Sequence, residues 1–305
     1  MIYTVTLNPA LDYFVRVDEI KIGMVNRSAA DRKEPGGKGI NVSRVLKRLG
    51  HHSEALGFIG GFTGEFVKSV IEEEDIGTSF TAVEGDTRIN IKIKGHKETE
   101  INGVSPVINE QALSRLYEQL AVLSPGDTLV LAGSVPGSLP HEIYKTMTAE
   151  AQAKGAEVFV DTSGEPLRQV LEAKPTFIKP NHHELGELFG TVISTPEQAL
   201  PFIRQLHEQG VHYVLVSFAG EGAILGANGQ IFAVSPPKGT VKNSVGAGDS
   251  VVAGFLAAQK EGLALKEAFC FAVAAGSATA FSSTFCQREE VERLAATIKA
   301  SIWEG

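Results

Sequence analysis

A glycine-rich stretch that ends in an aspartate lies near the C-terminus. Residues 243–250 read Asn-Ser-Val-Gly-Ala-Gly-Asp-Ser and lead into the sequence VVAGFLAAQ, whose small and apolar residues on every side predict a buried helix. Gly246, Ala247 and Gly248 would form the start of that helix, where unpaired backbone N–H groups attract a phosphate. Asp249 in the first turn could accept a proton from an attacking hydroxyl during phosphoryl transfer. The alternative is that Asp249 only caps a helix after a glycine-rich turn.

A second glycine-rich stretch, PGGKGINVSR at residues 35–44, also precedes a predicted helix. Its glycines permit close approach of the backbone to an anion, and Lys38 adds a positive charge. It is not a phosphate-binding loop of the GxxxxGK[ST] type, because Gly39 follows the lysine where a hydroxyl residue is required. The alternative is an ordinary turn with a solvated lysine. Two glycine-rich helix starts in one chain nevertheless favour two anion sites.

Short apolar runs alternate with helical patterns along the chain, which is typical of an α/β fold with a mainly parallel sheet and helices on both faces. We find no Pro-, Gly- or Ser-rich linker, so residues 1–305 are predicted to form a single domain. Asp161 follows one of the predicted strands, where a turn or helix-capping role is favoured over a catalytic one. The predicted strands are 53–59, 127–132, 156–160, 176–179 and 211–216, and the predicted helices are 38–49, 109–121, 140–153, 181–189 and 196–209.

Residues 12–34 and 87–102 interrupt this alternation with polar-apolar patterns that lack a helical period. They are predicted to be antiparallel strands that pair into one small sheet outside the main one. Exposed apolar strand faces tend to associate, so we expect a homodimer formed through these segments. The alternating apolar residues are Val15, Val17, Ile89, Ile91 and Ile93.

Composition narrows the class of protein. The chain of 305 residues has a net charge of -8, which argues mildly against nucleic acid as a partner. Its first residues lack the charged leader and apolar run of a signal peptide, and no apolar stretch is long enough to span a bilayer. Cys270 and Cys286 are therefore expected to be reduced, structural thiols in a cytoplasmic protein.

Six short motifs together resemble the ribokinase-like (PfkB) family of sugar kinases. The resemblance covers the whole chain and implies a three-layer α/β/α sandwich, with residues 12–34 and 87–102 as a β lid over the sugar site. It also implies ATP and Mg²⁺ as cofactors and a small sugar or sugar phosphate as substrate. In chain order the motifs are Asn8–Asp12 (N-x-x-x-D), 36–41 (GGKGxN), 87–90 (TRxN), 181–184 (N-x-x-E), 217–223 (S-x-x-x-x-GA) and 246–249 (GAGD).

The same resemblance implies roles for individual residues. Asp249 corresponds to the catalytic base, with Gly246, Ala247 and Gly248 as the anion hole. The substrate-binding residues would be Asp12, Gly37, Lys38, Asn41 and Arg88, where Lys38 and Arg88 would lie near the substrate's own phosphate. The ATP-binding residues would be Asn181, Ser217, Gly220, Gly222 and Gly248, and Glu184 would organise magnesium through water. Ala219 departs from the family, because many relatives have glycine there.

The sequences 25–28 (VNRS) and 35–50 resemble the branch of the family that phosphorylates sugar phosphates. The expected reaction transfers phosphate from ATP to the free primary hydroxyl of fructose 1-phosphate, giving fructose 1,6-bisphosphate. Two alternatives remain: a kinase that converts tagatose 6-phosphate to tagatose 1,6-bisphosphate, and a non-catalytic regulator that binds nucleotide or sugar. The intact GAGD and NxxE motifs favour an enzyme, since a pure binder needs no base. Nucleoside kinase activity would leave Lys38 and Arg88 without an anionic partner.

Overall fold

The computed structural model describes residues 1–96 and 98–303. Residue 97 belongs to the predicted lid segment 87–102 and lies outside the described residues, as do the last two residues of the predicted domain. The described strands are β1 (Ile2–Thr6), β2 (Ala10–Arg16), β3 (Ala30–Gly36), β4 (Glu54–Ile59), β5 (Gly77–Ala82), β6 (Arg88–Lys94), β7 (Glu98–Asn102), β8 (Thr128–Ala132), β9 (Glu157–Asp161), β10 (Phe177–Ile178), β11 (Tyr213–Ser217), β12 (Ala223–Ala227), β13 (Gln230–Val234) and β14 (Ser301–Ile302). The described α-helices are α1 (Lys38–Arg48), α2 (Gly61–Glu73), α3 (Glu110–Leu120), α4 (Ile143–Ala153), α5 (Gly164–Val170), α6 (His182–Phe189), α7 (Pro196–Glu208), α8 (Ala247–Lys260), α9 (Leu265–Phe281) and α10 (Arg288–Ala295).

Ten of these strands form one sheet in the order β14-β13-β12-β11-β10-β9-β8-β1-β4-β5. Pairing is parallel from β11 to β5 and antiparallel among β11, β12, β13 and β14. The central strands are almost continuously apolar because helices cover both faces of the sheet. The prediction of a mainly parallel α/β fold is confirmed.

Two apolar cores lie on opposite faces of this sheet and make the fold a three-layer sandwich. One core is formed with α1, α8, α9 and α10, and the other with α3 to α7. Helix α8 is buried continuously from Asp249 to Ala258, as its small and apolar sequence predicts. Cys270 and Cys286 are free and buried in the first core, which confirms their interpretation as structural thiols. Within the described residues, we find no helix with the length and apolar character needed to cross a membrane.

The four remaining strands form a second, smaller sheet in the order β3-β2-β6-β7, which we call the lid. The prediction that the two segments pair into one sheet is confirmed. Strands β2–β3 and β6–β7 are antiparallel, but the central pair β2–β6 is parallel, with Asp12 opposite Asn90. The expectation of a wholly antiparallel lid was therefore wrong. A long connection containing α1 and α2 joins the two hairpins, and such a crossover brings strands together in parallel.

The outer face of the lid is partly apolar. Ile89 and Ile101 are 38% and 54% exposed, and they lie on neighbouring strands of that face. Val17 does not belong to this exposed set, because it lies beyond the end of β2 and is buried. The lid thus presents an apolar surface of β-branched side chains, smaller than the sequence pattern predicts.

Candidate active site

The start of α8 is built around a glycine that no other residue could replace easily. Gly246 is the N-terminal cap and has a φ of 77°, in the left-handed region that favours glycine. A Cβ at this position would lie 2.3 Å from the ring of Phe285. Gly248 follows in the first turn. The predicted glycine-rich helix start is therefore confirmed. Its backbone N–H groups lie at the beginning of a buried helix, where they can attract an anion.

Asp249 is buried in the first turn of α8. Its Oδ2 accepts a hydrogen bond of 2.7 Å from Nδ2 of Asn41, which lies in the first turn of α1. Burial, together with the negative charge of Asp161, raises the pKa of Asp249 to about 6, although Lys38, Asn41 and Lys179 oppose this shift. The carboxylate is thus a stronger base than an ordinary aspartate but is still deprotonated at neutral pH.

Lys38 lies close to Asp161 and Asp249. It is the first residue of α1, after Gly37, whose φ of 126° again requires glycine. The Lys38 ammonium donates a hydrogen bond of 3.1 Å to Oδ1 of Asp161. Asp249 also contributes to raising its pKa, against the opposing effect of burial. Lys38 therefore faces the start of α8, on the side of the site where Asp249 lies.

Asp161 was expected to have a turn or helix-capping role, and that interpretation was wrong. It ends β9 and is completely buried, and Ser163 rather than Asp161 is the N-terminal cap of α5. The Lys179 ammonium lies 3.4 Å from the same Oδ1 atom that accepts from Lys38. Sequence reasoning missed Lys179. The available signal was its place as the last residue of a predicted strand, at the carboxyl edge where α/β proteins bind ligands.

Asp12 is buried in the lid, where its contacts are with residues of the neighbouring lid strands. Its Oδ1 accepts a hydrogen bond of 2.9 Å from Asn90, its partner across β2 and β6, and the Lys92 ammonium lies 3.7 Å from Oδ2. A Cβ on Gly36 would lie 2.6 Å from the Asp12 carboxyl, so glycine is needed for this approach. Burial raises the pKa of Asp12, an effect that Lys92 and Asn90 oppose.

A cavity of about 210 Å³ separates the lid from the start of α8. It is large enough for a small polar ligand and is bordered by groups from both motifs. Its wall includes Asp12 and Glu34 from the lid, Asn41 from α1, and Asn243, Val245 and Phe285 from the C-terminal part of the chain. The structure thus brings together Asp12 and Asn41, two of the predicted substrate-binding residues.

Arg88 lies at another part of the site, beside Asn8. Its Nη2 donates a hydrogen bond of 3.1 Å to the carbonyl of Asn8, while its buried Nε has no hydrogen-bond partner among the described residues. Two serines hold the Asn8 side chain: Ser105 Oγ donates to Oδ1 at 2.8 Å, and Asn8 Nδ2 donates to Ser134 Oγ at 3.2 Å. Sequence reasoning missed both serines. Their hydroxyl groups lie near Arg88, whose Nε–H donor has no hydrogen-bond partner among the described residues.

The N-x-x-E motif forms a capping box at the start of α6. Asn181 Oδ1 accepts from the Glu184 backbone N–H at 2.9 Å, and Glu184 Oε2 accepts from the Asn181 backbone N–H at 2.8 Å. This reciprocal pair stabilises a helix end. The two residues of the motif therefore have a structural role, which is to stabilise the start of α6. The backbone of Asn181 also forms a β-bridge with Ser217, so two predicted ATP-binding residues are neighbours.

The loop after β11 contains the departure at Ala219. This residue has a φ of 49°, in the left-handed region where a Cβ is unfavourable. Gly222 has a φ of 107°, and a Cβ there would lie 2.1 Å from the carbonyl of Val234. Gly220, by contrast, is exposed and has open space around it. Gly222 is therefore required by the packing of the strands, independently of any contact with ATP.

The described residues contain no group of three or more His, Cys, Asp or Glu side chains placed to hold a metal ion. Mg²⁺ usually keeps several waters and binds through one or two carboxylates plus substrate phosphates. Glu184, with one carboxylate oxygen used in the capping box, fits such a water-mediated role and does not fit a dedicated metal cage.

Comparison with known proteins agrees with this arrangement. Residues 5–288 match the sequence family described as pfkB family carbohydrate kinase. The chain is 52% identical over 303 residues to a 1-phosphofructokinase of Bacillus subtilis, covering 99% of each chain. It is 36% identical over 300 residues to a D-tagatose-1-phosphate kinase of Bacillus licheniformis, covering 98% of this chain and 99% of the relative.

Solved structures show the same fold. Phosphofructokinase-2 from Escherichia coli in complex with fructose-6-phosphate superimposes with a TM-score of 0.91 at 30% identity, covering 97% of this chain and 98% of that one. A tetrameric inhibited form of the same E. coli enzyme also has a TM-score of 0.91. The resemblance inferred from six short motifs therefore extends over nearly the whole chain.

Proposed function

Because the chain belongs to the pfkB family of carbohydrate kinases, we propose that it transfers the γ-phosphoryl group of ATP to the free primary hydroxyl of a ketohexose monophosphate. The proposed acceptor is fructose 1-phosphate and the product is fructose 1,6-bisphosphate. The full-length identity of 52% to a 1-phosphofructokinase supports this acceptor. The structural observation that carries the proposal is the buried Asp249 carboxylate at the glycine-capped start of α8, hydrogen-bonded to Asn41, which borders the cavity under the lid.

Asp249 acts as the general base in this proposal. Its carboxylate takes the proton of the acceptor's primary hydroxyl, whose oxygen forms a bond to the γ-phosphorus of ATP. The bond between that phosphorus and the bridging oxygen breaks, and ADP leaves. The anion hole of Gly246, Ala247 and Gly248 offers backbone N–H groups to the charge on the phosphoryl oxygens. Asn41 orients the base through its hydrogen bond to Oδ2.

Two ammonium groups border this anion hole. A Cβ on Gly248 would lie 3.3 Å from the Lys179 Nζ, and Lys38 shares the Asp161 carboxylate with Lys179. We assign Lys38 to the phosphoryl group in transfer rather than to the acceptor's own phosphate. The geometry supports this assignment, because its ammonium is held by Asp161 and influenced by Asp249.

Arg88 is the proposed ligand of the acceptor's own phosphate. Its spare Nε donor and the nearby hydroxyl groups of Ser105 and Ser134 suit a dianionic phosphate ester. Asp12 and Asn41 border the cavity under the lid, Asn41 next to the base, and would bind the sugar hydroxyls. The acceptor would then extend from Arg88 under the lid to Asp249.

ATP would bind along the loop after β11 and the start of α6. The proposed contacts are Ser217, Gly220 and Asn181, with Gly222 shaping the loop and Gly248 in the anion hole. Mg²⁺, held through water near Glu184, would neutralise part of the phosphate charge. The capping box that fixes Glu184 in place supports this role.

A tagatose phosphate is the second candidate acceptor. The 36% identity to a D-tagatose-1-phosphate kinase favours an acceptor with its phosphate on C1, as in fructose 1-phosphate, over the tagatose 6-phosphate considered from the sequence. A non-catalytic regulator is the remaining alternative. ADP release measured across fructose 1-phosphate, fructose 6-phosphate, the two tagatose phosphates and free fructose separates these possibilities. Fructose 1-phosphate should give the highest kcat/KM, and the absence of acceptor-dependent ADP release would refute a kinase.

Replacing Arg88 tests where the acceptor's phosphate binds. Loss of a hydrogen bond to a charged group costs about 1.5–3 kcal/mol, which corresponds to about ten- to a hundredfold. Arg88→Ala should therefore raise KM for fructose 1-phosphate by that factor, leave KM for ATP almost unchanged, and reduce the preference over free fructose. Arg115→Ala, on the exposed part of α3, is the control. An unchanged preference in Arg88→Ala would contradict the role of Arg88.

The proposal also includes a homodimer formed through the outer face of the lid. The exposed Ile89 and Ile101 support it, and an E. coli relative has a tetrameric form. Ile89→Lys should dissociate the dimer at micromolar concentrations, whereas Val122→Lys, at an exposed position far from the lid strands in sequence, should not. Sedimentation equilibrium measures both, and a monomeric wild type would refute the interface.

We place the enzyme in the cytoplasm. Two buried, free cysteines in the core support a reducing compartment, where disulfides are rare. Fractionation of cells, with detection of the protein in the cytosolic fraction, is the corresponding test.

A further inference from the structure

Asp161 is a buried charge that the mechanism above does not use directly. It lies at the end of β9, beside the strand that leads to Lys179, and its side chain is completely buried. Burying a carboxylate is costly unless it is paired. Two ammonium groups pair with it through Oδ1, while Oδ2 has no hydrogen-bond partner within the described part of the chain.

The two lysines that meet at Asp161 come from different parts of the chain. Lys38 begins α1, and Lys179 follows β10. Without an anion between them their charges would repel, and each ammonium would move away or lose its proton. Burial disfavours the charged form of Asp161, but Lys179 and Lys38 overcome it and hold the pKa of this carboxyl below its ordinary value. Asp161 therefore fixes two cations at one point.

Asp161 and the two lysine ammonium groups lie next to the start of α8. Lys179 lies against Gly248, and the Lys38 side chain is 37% exposed. The charged groups that face Asp249 are Asp161 on β9, Lys38 on α1 and Lys179 after β10. Each lysine has three donors and shares Asp161 as its acceptor, which leaves donors for a phosphoryl group.

We propose that Asp161 is a positioning residue, which holds Lys38 and Lys179 beside the anion hole and places its own negative charge near Asp249. The inference rests on the kinase function proposed above. The Asp161 carboxylate would have two effects. It orders Lys38 and Lys179, which stabilise the transferring phosphoryl group, and its negative charge offsets the tendency of these lysines to make Asp249 a weaker base. A purely structural ion pair would have neither effect.

The test compares Asp161→Asn with a matched buried aspartate. Asp127 directly precedes β8, so it lies at the amino ends of the parallel strands, whereas Asp161 lies at their carboxyl ends. The partners of Asp127 are the N-terminal amine and Ser124. Asp161→Asn should lower kcat by about ten- to a hundredfold, in line with the loss of hydrogen bonds to charged groups. KM for the acceptor should change little. Asp127→Asn should reduce thermal stability without changing kcat.

The pH dependence provides a readout that a structural role would not affect. In Asp161→Asn the loss of negative charge should lower the pKa of Asp249, so the acid limb of kcat should move to lower pH. Lys179→Met should move that limb to higher pH, because Lys179 opposes the raised pKa. The acceptor and ATP also have phosphates that titrate near pH 6, but they are identical in every variant. An acid limb at the same pH in all variants, or an undiminished kcat in Asp161→Asn, would overturn the proposal.

A measurement without turnover separates this inference from the proposed function. Carbon-13 labelling of aspartate carboxyls allows Asp249 to be titrated by NMR, with its signal assigned by its absence in Asp249→Asn. Its midpoint should be lower in Asp161→Asn than in wild type and higher in Lys179→Met. Should Asp161→Asn fail to fold, the Lys179→Met titration still decides, because an unmoved midpoint there contradicts the coupling. Failure of the kinase assay alone would instead refute the proposed function.

Discussion

The two glycine-rich helix starts are similar in sequence and contribute differently to the site. Both need a glycine with positive φ, 126° at Gly37 and 77° at Gly246. The start of α1 supplies side chains, Lys38 and Asn41, whereas the start of α8 supplies backbone N–H groups and the carboxylate of Asp249. They meet at one hydrogen bond of 2.7 Å between Asn41 and Asp249. A glycine-rich helix start is therefore not sufficient to define an anion site, since the residues that follow the glycines decide its chemistry.

The largest effect is expected from the base itself. Asp249→Asn keeps the shape of the α8 start and its hydrogen-bonding capacity but cannot accept the proton. We expect kcat to fall by at least about 10²–10⁴-fold, as for other positioned acid–base groups. Thermal unfolding and the calorimetric affinity for ATP should stay close to wild type. Near-normal turnover by a folded Asp249→Asn variant would show that the start of α8 supplies no base.

A smaller effect is expected from the side chain that α1 contributes. Asn41→Ala removes the hydrogen bond to Oδ2 of Asp249, so the carboxylate is less well oriented. We expect kcat at pH 7 to fall by about tenfold, the equivalent of one hydrogen bond to a charged group. Ser43→Ala is the control, because Ser43 is buried in the same helix and bonds to Thr4 and Ser53. Equal losses in both variants would mean that α1 acts only through stability.

The smallest effect concerns the loop after β11, outside both helix starts. Ala219 has the left-handed conformation that glycine adopts without strain. Ala219→Gly should therefore stabilise the protein, by less than about 1 kcal/mol because glycine also gains entropy in the unfolded chain. Ala121→Gly is the contrasting control, since Ala121 is exposed with a right-handed φ of -64°, and it should destabilise. Chemical denaturation measures both, and destabilisation by Ala219→Gly would contradict the argument from strain.

Periodic patterns predicted the fold well because they depend on local burial. The strand and helix predictions agree with the structure within a few residues, for example α1, predicted at 38–49 and found at Lys38–Arg48. The parallel pairing of β2 with β6 was not predictable from alternation, which is the same in parallel and antiparallel strands. That pairing depends on the long connection through α1 and α2.

Motifs identified several residues that the structure brings together, whereas residues that only the fold brings together were missed. Asp249, Asn41 and Asp12 belong to short motifs; Asn41 and Asp12 border one cavity, and Asn41 donates a hydrogen bond to Asp249. Lys179 and Asp161 lie at the ends of neighbouring strands, and no sequence spacing links them to Lys38. Their ion pairs form because the strand order of the sheet brings these residues together, and that order cannot be read directly from the sequence.

Asp249 is the proposed base, and α1 tunes it through the hydrogen bond from Asn41. The most direct measurement is the acid limb of kcat for fructose 1-phosphate at saturating ATP, in wild type and Asn41→Ala. With a pKa of about 6 for Asp249, the wild-type rate should fall below about pH 6, because protonation removes the base. Asn41 lowers that pKa, so the limb of Asn41→Ala should lie at higher pH, while the substrates titrate identically in both. Coincident limbs in the two proteins would contradict the claim.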